Sequence, residues 1–90
     1  MYRVFVRHTV KDFEAWHSGY RTYYDIQRDL NMVGDAIQHD VEDPNKLTVV
    51  HDFATMDDVN RYMSLPNLKE LMEKVGLIGE PEIWVTEKVL

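Results

Sequence analysis

The stretch from residue 53 to residue 75 constrains the fold most, because it has the pattern of two short amphipathic helices divided by a proline. Thr55 can cap the first helix, and the two aspartates that follow favour the positive end of a helix dipole. Pro66 lacks an amide hydrogen and disfavours helical backbone in the preceding residue, so the first helix ends there. Asn67 can cap the second helix, and Gly76 can end it. A broken helix with an apolar stripe on each half needs a flat partner, which predicts that both halves lie on a β-sheet.

Four other segments have the alternation or the composition typical of β-strands, namely residues 2–8, 35–41, 47–53 and 82–90. Between the first two, residues 12–30 place aromatic and apolar side chains at steps of three and four, which predicts a long amphipathic helix. The order is therefore strand, helix, strand, strand, helix, strand. This βαββαβ order predicts an α+β, ferredoxin-like fold, in which an antiparallel four-stranded sheet carries both helices on one face.

Size and composition exclude several classes of protein. Residues 1–90 are expected to form a single globular domain, since 44% of the chain is hydrophobic. The chain has no cysteine, which excludes thiol catalysis and cysteine-based metal sites. A net charge of −6 with scattered basic residues argues against nucleic acid as a partner. We find no signal peptide and no apolar run long enough to span a membrane, so we expect a cytoplasmic protein without a membrane partner.

The two faces of the predicted sheet differ in character. The face toward the helices is apolar and contains Val4, Val6, Ile37, Val41, Val49, Phe53, Ile83 and Val85. The opposite face carries Phe5 and Trp84 among polar side chains, and a bare sheet face with two large aromatic rings is rarely left in water. We therefore expect a homodimer that packs the two sheets face to face, with Phe5 and Trp84 at the interface.

Two arginines lie on the same open face. Arg3 and Arg7 could bind an anionic ligand, or they could pair with Asp40 and Asp52 across the sheet or the dimer. We expect the pairing, which satisfies their charge without a ligand.

Three segments of the sequence resemble a known family. FATMDDVNRYMSLPNLKELME, DPNKLTVVHDF and VRHTVKDFEAW are similar to the helix, strand and opening motifs of the dimeric α+β barrel superfamily, within its antibiotic biosynthesis monooxygenase-like proteins. The resemblance implies a cofactor-free monooxygenase or cyclase that acts on an aromatic or polyketide-like molecule, although many small members have no known activity. Haem-degrading relatives use a histidine on the second-half helix, and residues 56–75 contain none, which argues against haem chemistry here.

The candidate catalytic groups lie on the central hairpin and the first helix. His39 and His51 share the helix-facing side of the sheet if both strands alternate strictly. A loop of residues 44–46 would place the two histidines directly opposite each other, whereas a loop of residues 42–46 would place them diagonally. An imidazole near a phenol, in an aromatic pocket between the first helix and the sheet, could take a proton from a phenolic or enolic substrate. The predicted catalytic residues are His39, His51 and Tyr20, and the predicted substrate-binding residues are His8, Trp16, Tyr23, Tyr62 and Phe53.

The same residues allow a second interpretation. Histidines and tyrosines are often half-buried for packing alone, and an aromatic stripe at helical spacing is typical of a core. The chain would then be a non-catalytic small-molecule-binding or dimeric assembly module. We predict no metal site, because two histidines without a carboxylate on the same face make a poor set of ligands.

Overall fold

The chain folds into one four-stranded antiparallel sheet with helices on one face. A computed structural model describes residues 1–65, 68–74 and 76–90, apart from the side chains of residues 23–27, 68, 69 and 71. The elements in chain order are β1 (Tyr2–Val10), α1 (Phe13–Asp29), β2 (Met32–His39), β3 (Lys46–Phe53), α2 (Met56–Met63), α3 (Leu68–Lys74) and β4 (Leu77–Glu87). The strands lie in the order β2-β3-β1-β4, and every neighbouring pair is antiparallel. The predicted ferredoxin-like fold is confirmed.

The core lies between the sheet and the helices. Alternate residues of β1 point into it, and Val4, Val6 and Val10 are almost completely buried. Burial of such side chains is the main driving force for folding, at about 1.5–3 kcal/mol for each large one. The helices, β2 and β3 contribute the remaining members, which are Trp16, Tyr20, Met32, Leu47, Val49, Phe53, Val59 and Tyr62.

The β2–β3 loop holds the start of α1. Asp12 caps the helix as predicted, since its carboxylate accepts a 2.9 Å hydrogen bond from the Ala15 amide. The Asn45 side chain accepts a further 2.9 Å bond from the Phe13 amide. The Asn45 carbonyl accepts a 2.9 Å bond from the Val10 amide at the end of β1. One loop residue therefore fixes the chain on both sides of the β1–α1 junction.

A buried carboxylate joins the end of α1 to the start of α2. The Asp58 carboxylate accepts hydrogen bonds from the Asn31 amide at 3.1 Å and from Arg61 at 2.7 Å. The backbone amide of Asp58 donates to the Thr55 hydroxyl at 3.2 Å, which confirms the predicted cap. The bond from Asn31 is the largest cause that lowers the pKa of the Asp58 carboxyl group, and the influence of the Thr55 hydroxyl on that carboxyl group and the charge of Arg61 add to it.

The second helical region is split as predicted. α2 ends at Met63 and α3 begins at Leu68. The predicted breaker Pro66 and the predicted cap Asn67 lie outside the described residues. Gly76 has a φ of 102°, a backbone conformation that suits a glycine after a helix. No helix in the described part of the chain is long and apolar enough to cross a membrane.

The prediction for β2 and its turn was partly wrong. The strand spans Met32–His39 instead of residues 35–41. Val41, predicted to face the core, is 99% exposed. The reason is a long loop that begins at Asp40, whose amide donates to the Lys46 carbonyl at 2.9 Å and so ends the ladder before Val41.

The last strand begins earlier than predicted. The sequence predicts a strand that begins after Pro81, but β4 already starts at Leu77. Its pairing with β1 jumps between Arg7 and Thr9, so that residues 79–81 stand opposite His8. Gly79 has a φ of 77°, which permits the irregularity. Pro81 is tolerated because it lies within this irregular segment of an edge strand.

The open face of the sheet carries an aromatic pair. The rings of Phe5 and Trp84 stack with centroids 5.1 Å apart and planes 7° from parallel. Trp84 is still 42% exposed in a single chain.

The predicted ion pairs of the open face are confirmed within one chain. Arg3 donates to both carboxylate oxygens of Asp52, at 2.7 and 3.1 Å. Arg7 donates to Asp40 at 2.9 Å and to the Thr48 hydroxyl at 2.9 Å. Both arginines therefore have carboxylate partners without a ligand.

The Asn31 junction gives a test of the local structure. Asn31 has a φ of 67°, which glycine tolerates and alanine does not. Asn31→Gly removes the bond to Asp58 and adds conformational freedom to the unfolded chain, whereas Asn31→Ala removes the same bond and strains the folded backbone. We expect both variants to be less stable than the natural chain, and the alanine variant to be about 1 kcal/mol less stable than the glycine variant. Urea denaturation measures the difference, and equal stabilities would contradict the prediction.

Candidate functional site

His51 forms the floor of the candidate site. It lies on the helix-facing side of β3 and is 2% exposed. Its ring is nearly parallel to that of Tyr20, at a centroid distance of 6.3 Å, and it lies 5.1 Å from the ring of Tyr62. Its Nδ1 lies 3.2 Å from the sulfur of Met32. An α1 residue, an α2 residue and a β2 residue thus enclose one imidazole.

These contacts determine the state of the imidazole. A thioether sulfur can only accept a hydrogen bond, so the contact with Met32 places the proton on Nδ1 and leaves Nε2 as an acceptor. Burial lowers the pKa of His51 to about 4, although the charge of Asp52 acts in the opposite direction. His51 is therefore neutral at pH 7 and has a lone pair with which to accept a proton.

The structure adds a carboxylate that sequence reasoning missed. Asp35 stands directly opposite His51 in the β2–β3 ladder, on the same face of the sheet. Its carboxylate accepts a 3.4 Å hydrogen bond from the Tyr20 hydroxyl and is exposed to solvent. The sequence interpretation that no carboxylate shares the face of the histidines was wrong. The alternation that placed Ile37 on this face also places Asp35 there, so the signal was present.

His39 does not meet His51, and both predicted registers were wrong. His39 pairs with Leu47, four residues before His51 on β3. At the rise of a β-strand, this separation is about 14 Å. The cause is the β2–β3 loop, which is longer than either predicted loop.

His39 lies instead at the exposed end of the hairpin. Its Nδ1 is 2.8 Å from the Asp40 carbonyl oxygen, and Phe13 meets its ring edge-on at a centroid distance of 6.0 Å. These are the contacts of a surface residue beside the start of α1.

The predicted substrate-binding residues lie mostly in one row of rings. Trp16 stacks on Tyr20 at 5.0 Å and lies 5.6 Å from His8. At the other end of the row, Tyr62 lies 5.7 Å from Phe53. All of these side chains are at most 8% exposed. Burial raises the pKa of Tyr62, so its hydroxyl stays protonated. The side chain of Tyr23 lies outside the described part.

Two open cavities lie away from His51. One of about 690 Å³ is lined by Gln38, His39, Asp40, Val41, Glu42 and Thr48. The other, of about 300 Å³, is lined by Met1, Arg3, Phe5, Asp52, Thr86 and Lys88. Within the described side chains, no group of three or more acidic or histidine residues is arranged to hold a metal ion.

The buried His51 predicts a pH-dependent stability. The folded chain resists protonation of His51 down to about pH 4, whereas in the unfolded chain the residue binds a proton near pH 6.5. The unfolded state therefore binds more protons between these values, and the free energy of unfolding falls as the pH decreases across this window. The contribution of His51 to this loss is on the order of 3 kcal/mol.

Denaturation in urea at several pH values measures this slope. His51→Gln should make the free energy of unfolding less dependent on pH between about pH 4 and 6.5, even if the variant is less stable than the natural chain. Val49→Ala, which is destabilising but does not titrate, should keep the slope. A His51→Gln variant with the slope of the natural chain would contradict the assignment.

The sequence matches no family model and no curated protein. Solved structures do match over almost the whole chain. A Bordetella bronchiseptica protein described as an antibiotic biosynthesis monooxygenase superimposes with a TM-score of 0.80 at 18% identity, over 99% of this chain and 97% of that one. A variant of SnoaB, a cofactor-independent oxygenase from Streptomyces nogalater, also gives 0.80, at 11% identity over 99% and 93%. A Nitrosomonas europaea protein of unknown function gives 0.77 at 16% identity over 99% and 89%. The predicted resemblance is thus confirmed at the level of structure, and the chain has the fold of the antibiotic biosynthesis monooxygenases.

Proposed function

We propose that the chain is a cofactor-free monooxygenase or cyclase that acts on an aromatic or polyketide-like molecule held between α1 and the sheet. The observation that carries the proposal is the group formed by His51, Tyr20 and Asp35. It combines a buried neutral imidazole, a phenol and a carboxylate on one side of the sheet. The likeness of the fold to SnoaB supports the choice of reaction class.

His51 is the general base of this proposal. Its Nε2 takes a proton from an acidic C–H or O–H group of the substrate, which leaves a carbanion or enolate. The low pKa of the buried His51 makes it a weak base, but an anion formed beside the ring favours the imidazolium and raises its pKa. Base and substrate anion therefore stabilise each other.

The substrate carbanion then supplies the electrons for the oxygenation. In a monooxygenation, a CH₂ group and dioxygen give a carbonyl group and water. One oxygen atom enters the product, and the two hydrogens of the CH₂ group leave with the other oxygen. No redox group of the protein is needed for this balance.

Tyr20 orients the substrate in this proposal. Its hydroxyl donates to Asp35, which fixes the direction of the phenol beside His51. Because the Asp35 carboxylate is exposed, the edge of the sheet at β2 is the side from which a substrate can approach. His39 lies too far from this group to act on the same atom.

The binding or assembly module remains the second candidate function. The observation that favours it is the burial of the row of rings, in which every described member is at most 8% exposed. A substrate can reach His51 only if one of the helices that cover it, α1 or α2, moves away from the sheet. A chain whose interior stays closed would have dimerisation or ligand storage as its function.

We also propose a homodimer through the open sheet face. The stacked pair of Phe5 and Trp84 forms the apolar centre of this face, and the ion pairs of Arg3 and Arg7 flank it. This arrangement of an aromatic centre with a polar rim is typical of protein interfaces. The cytoplasmic location expected from the sequence stays a prediction.

Substitution of the histidines tests the enzyme hypothesis. With the anthrone dithranol as substrate and dioxygen uptake as readout, we expect His51→Gln to lower kcat by roughly 10²–10⁴-fold. His39→Gln is the matched control and should keep the natural rate. Circular dichroism must show that both variants are folded. Equal rates for the natural chain and folded His51→Gln would exclude His51 as the base, and no uptake by the natural chain would favour the binding or assembly module.

A charge at the centre of the open face tests the dimer. Trp84→Glu would bury a carboxylate in the interface, so we expect a monomer at concentrations where the natural chain is a dimer. Met63→Glu, at an exposed residue of α2, is the control and should remain dimeric. Light scattering after size-exclusion chromatography gives the masses. A dimeric Trp84→Glu variant would place the interface elsewhere.

A further inference from the structure

His8 is a buried histidine without a hydrogen-bond partner. It lies on the helix-facing side of β1 and is 7% exposed. Neither Nδ1 nor Nε2 has a partner among the described residues. Burial lowers the pKa of His8 and outweighs an opposite influence of the Val6 backbone, which does not reach hydrogen-bonding geometry with the ring. The imidazole is therefore neutral at pH 7, with one unpaired donor and one unpaired acceptor.

Packing alone does not explain an imidazole at this position. Its neighbours in the same row of β1 are Val4, Val6 and Val10, all apolar and almost completely buried. Leaving a buried polar group unpaired is costly, and such groups nearly always have a partner in folded proteins. No described residue supplies the partner of His8, and a polar group of a bound molecule could supply it.

The sheet is irregular at the same residue. Residues 79–81 of β4 stand opposite His8 alone, while Arg7 and Thr9 on either side of it pair with single residues. Irregularities of this kind are over-represented next to binding and active sites, where they redirect side chains. This second observation is independent of the unpaired ring nitrogens.

His8 is continuous with the candidate site. Its ring lies 5.6 Å from Trp16, which in turn stacks on Tyr20 beside His51. In the β1–β3 ladder, His8 stands opposite Leu47, four residues from His51. The two histidines are therefore about 14 Å apart. The buried ring of Trp16 lies between them.

We propose that His8 is a second recognition residue, which binds a hydroxyl or carbonyl oxygen at the far end of an elongated molecule whose reacting end lies at His51. This inference rests on the proposed function and adds a requirement to it, namely an oxygen group remote from the reaction centre. A neutral imidazole matches a neutral oxygen group, since it offers one donor and one acceptor. The ring system of the molecule stacks on Trp16 once α1 has moved.

Two quinones test the inference by isothermal titration calorimetry. Anthraflavic acid carries a hydroxyl group at each end of a three-ring system, and its monohydroxy analogue lacks one of them. We expect His8→Leu to weaken the binding of anthraflavic acid at least tenfold, to the affinity of the analogue, and to leave the affinity for the analogue unchanged. His17→Leu is the matched control, since His17 stacks on Phe13 at 5.7 Å outside the row, and it should change neither affinity.

The outcomes separate this inference from the proposed function. If the natural chain binds anthraflavic acid and His8→Leu binds it equally well, the role of His8 is overturned while the site at His51 stands. If the natural chain binds neither quinone, the proposed function fails and the inference fails with it.

A measurement on the natural chain covers the case in which His8→Leu does not fold. Nitrogen NMR of the His8 ring should show a shift of one ring nitrogen when anthraflavic acid binds, and no such shift with the monohydroxy analogue. Identical spectra with the two quinones would overturn the inference.

Discussion

The pairing of β2 with β3 determines which groups surround His51. Two irregularities decide this pairing, a shift of register between Met32 and Gly34 and the long loop that starts at Asp40. Because side chains alternate between the faces of a sheet, the added residue at the shift decides which side chains of β2 face the helices. Asp35 therefore faces His51 from the helix side, and His39 lies at the far end of the hairpin. The chemistry available to the site follows from this register.

The fold could be predicted from the sequence because its signals are local. Asp12, Thr55 and Gly76 act within one helical turn of their own positions, and alternation in β1 and β3 needs no knowledge of other strands. The ion pairs of the open face also followed from alternation alone. These signals suffice for the order of the elements and for the faces of β1 and β3.

The site could be predicted only in part, because it depends on contacts between distant residues. His51 and Tyr20 were predicted as site residues from their residue types and faces. The partner of His51 depends on the register, which is set by a hydrogen bond from Asp40 to Lys46 and by the side chain of Arg7, on a strand far away in the sequence. Strand alternation places Asp35 on the helix-facing side of β2, yet nothing in the sequence distinguishes Asp35 from the many other acidic residues of the chain. The start of β4 was missed because a proline such as Pro81 usually stands at the beginning of a strand, and only the pairing with β1 shows that an irregular edge accommodates it.

The interior of this chain contains side chains that stabilise the fold and others that destabilise it. Val4, Val6 and Val10 are the residues expected of a well-packed strand, whereas His8 and His51 are neutral imidazoles held where a charge is disfavoured. Folded proteins keep such residues at a loss of stability mainly where function needs them.

The irregular segment of β4 also has a consequence for how copies of the chain can meet. β4 lies at an outer edge of the described sheet. An outer strand with free amide and carbonyl groups can pair with a strand of another molecule, and repetition of this pairing leads to aggregation. Pro81 offers no amide hydrogen there, and the turn at Gly79 takes the backbone away from a straight line. Open-ended growth along this edge is thereby obstructed. The homodimer that we propose uses the broad face of the sheet instead, where one partner covers the face and leaves no place for a third chain.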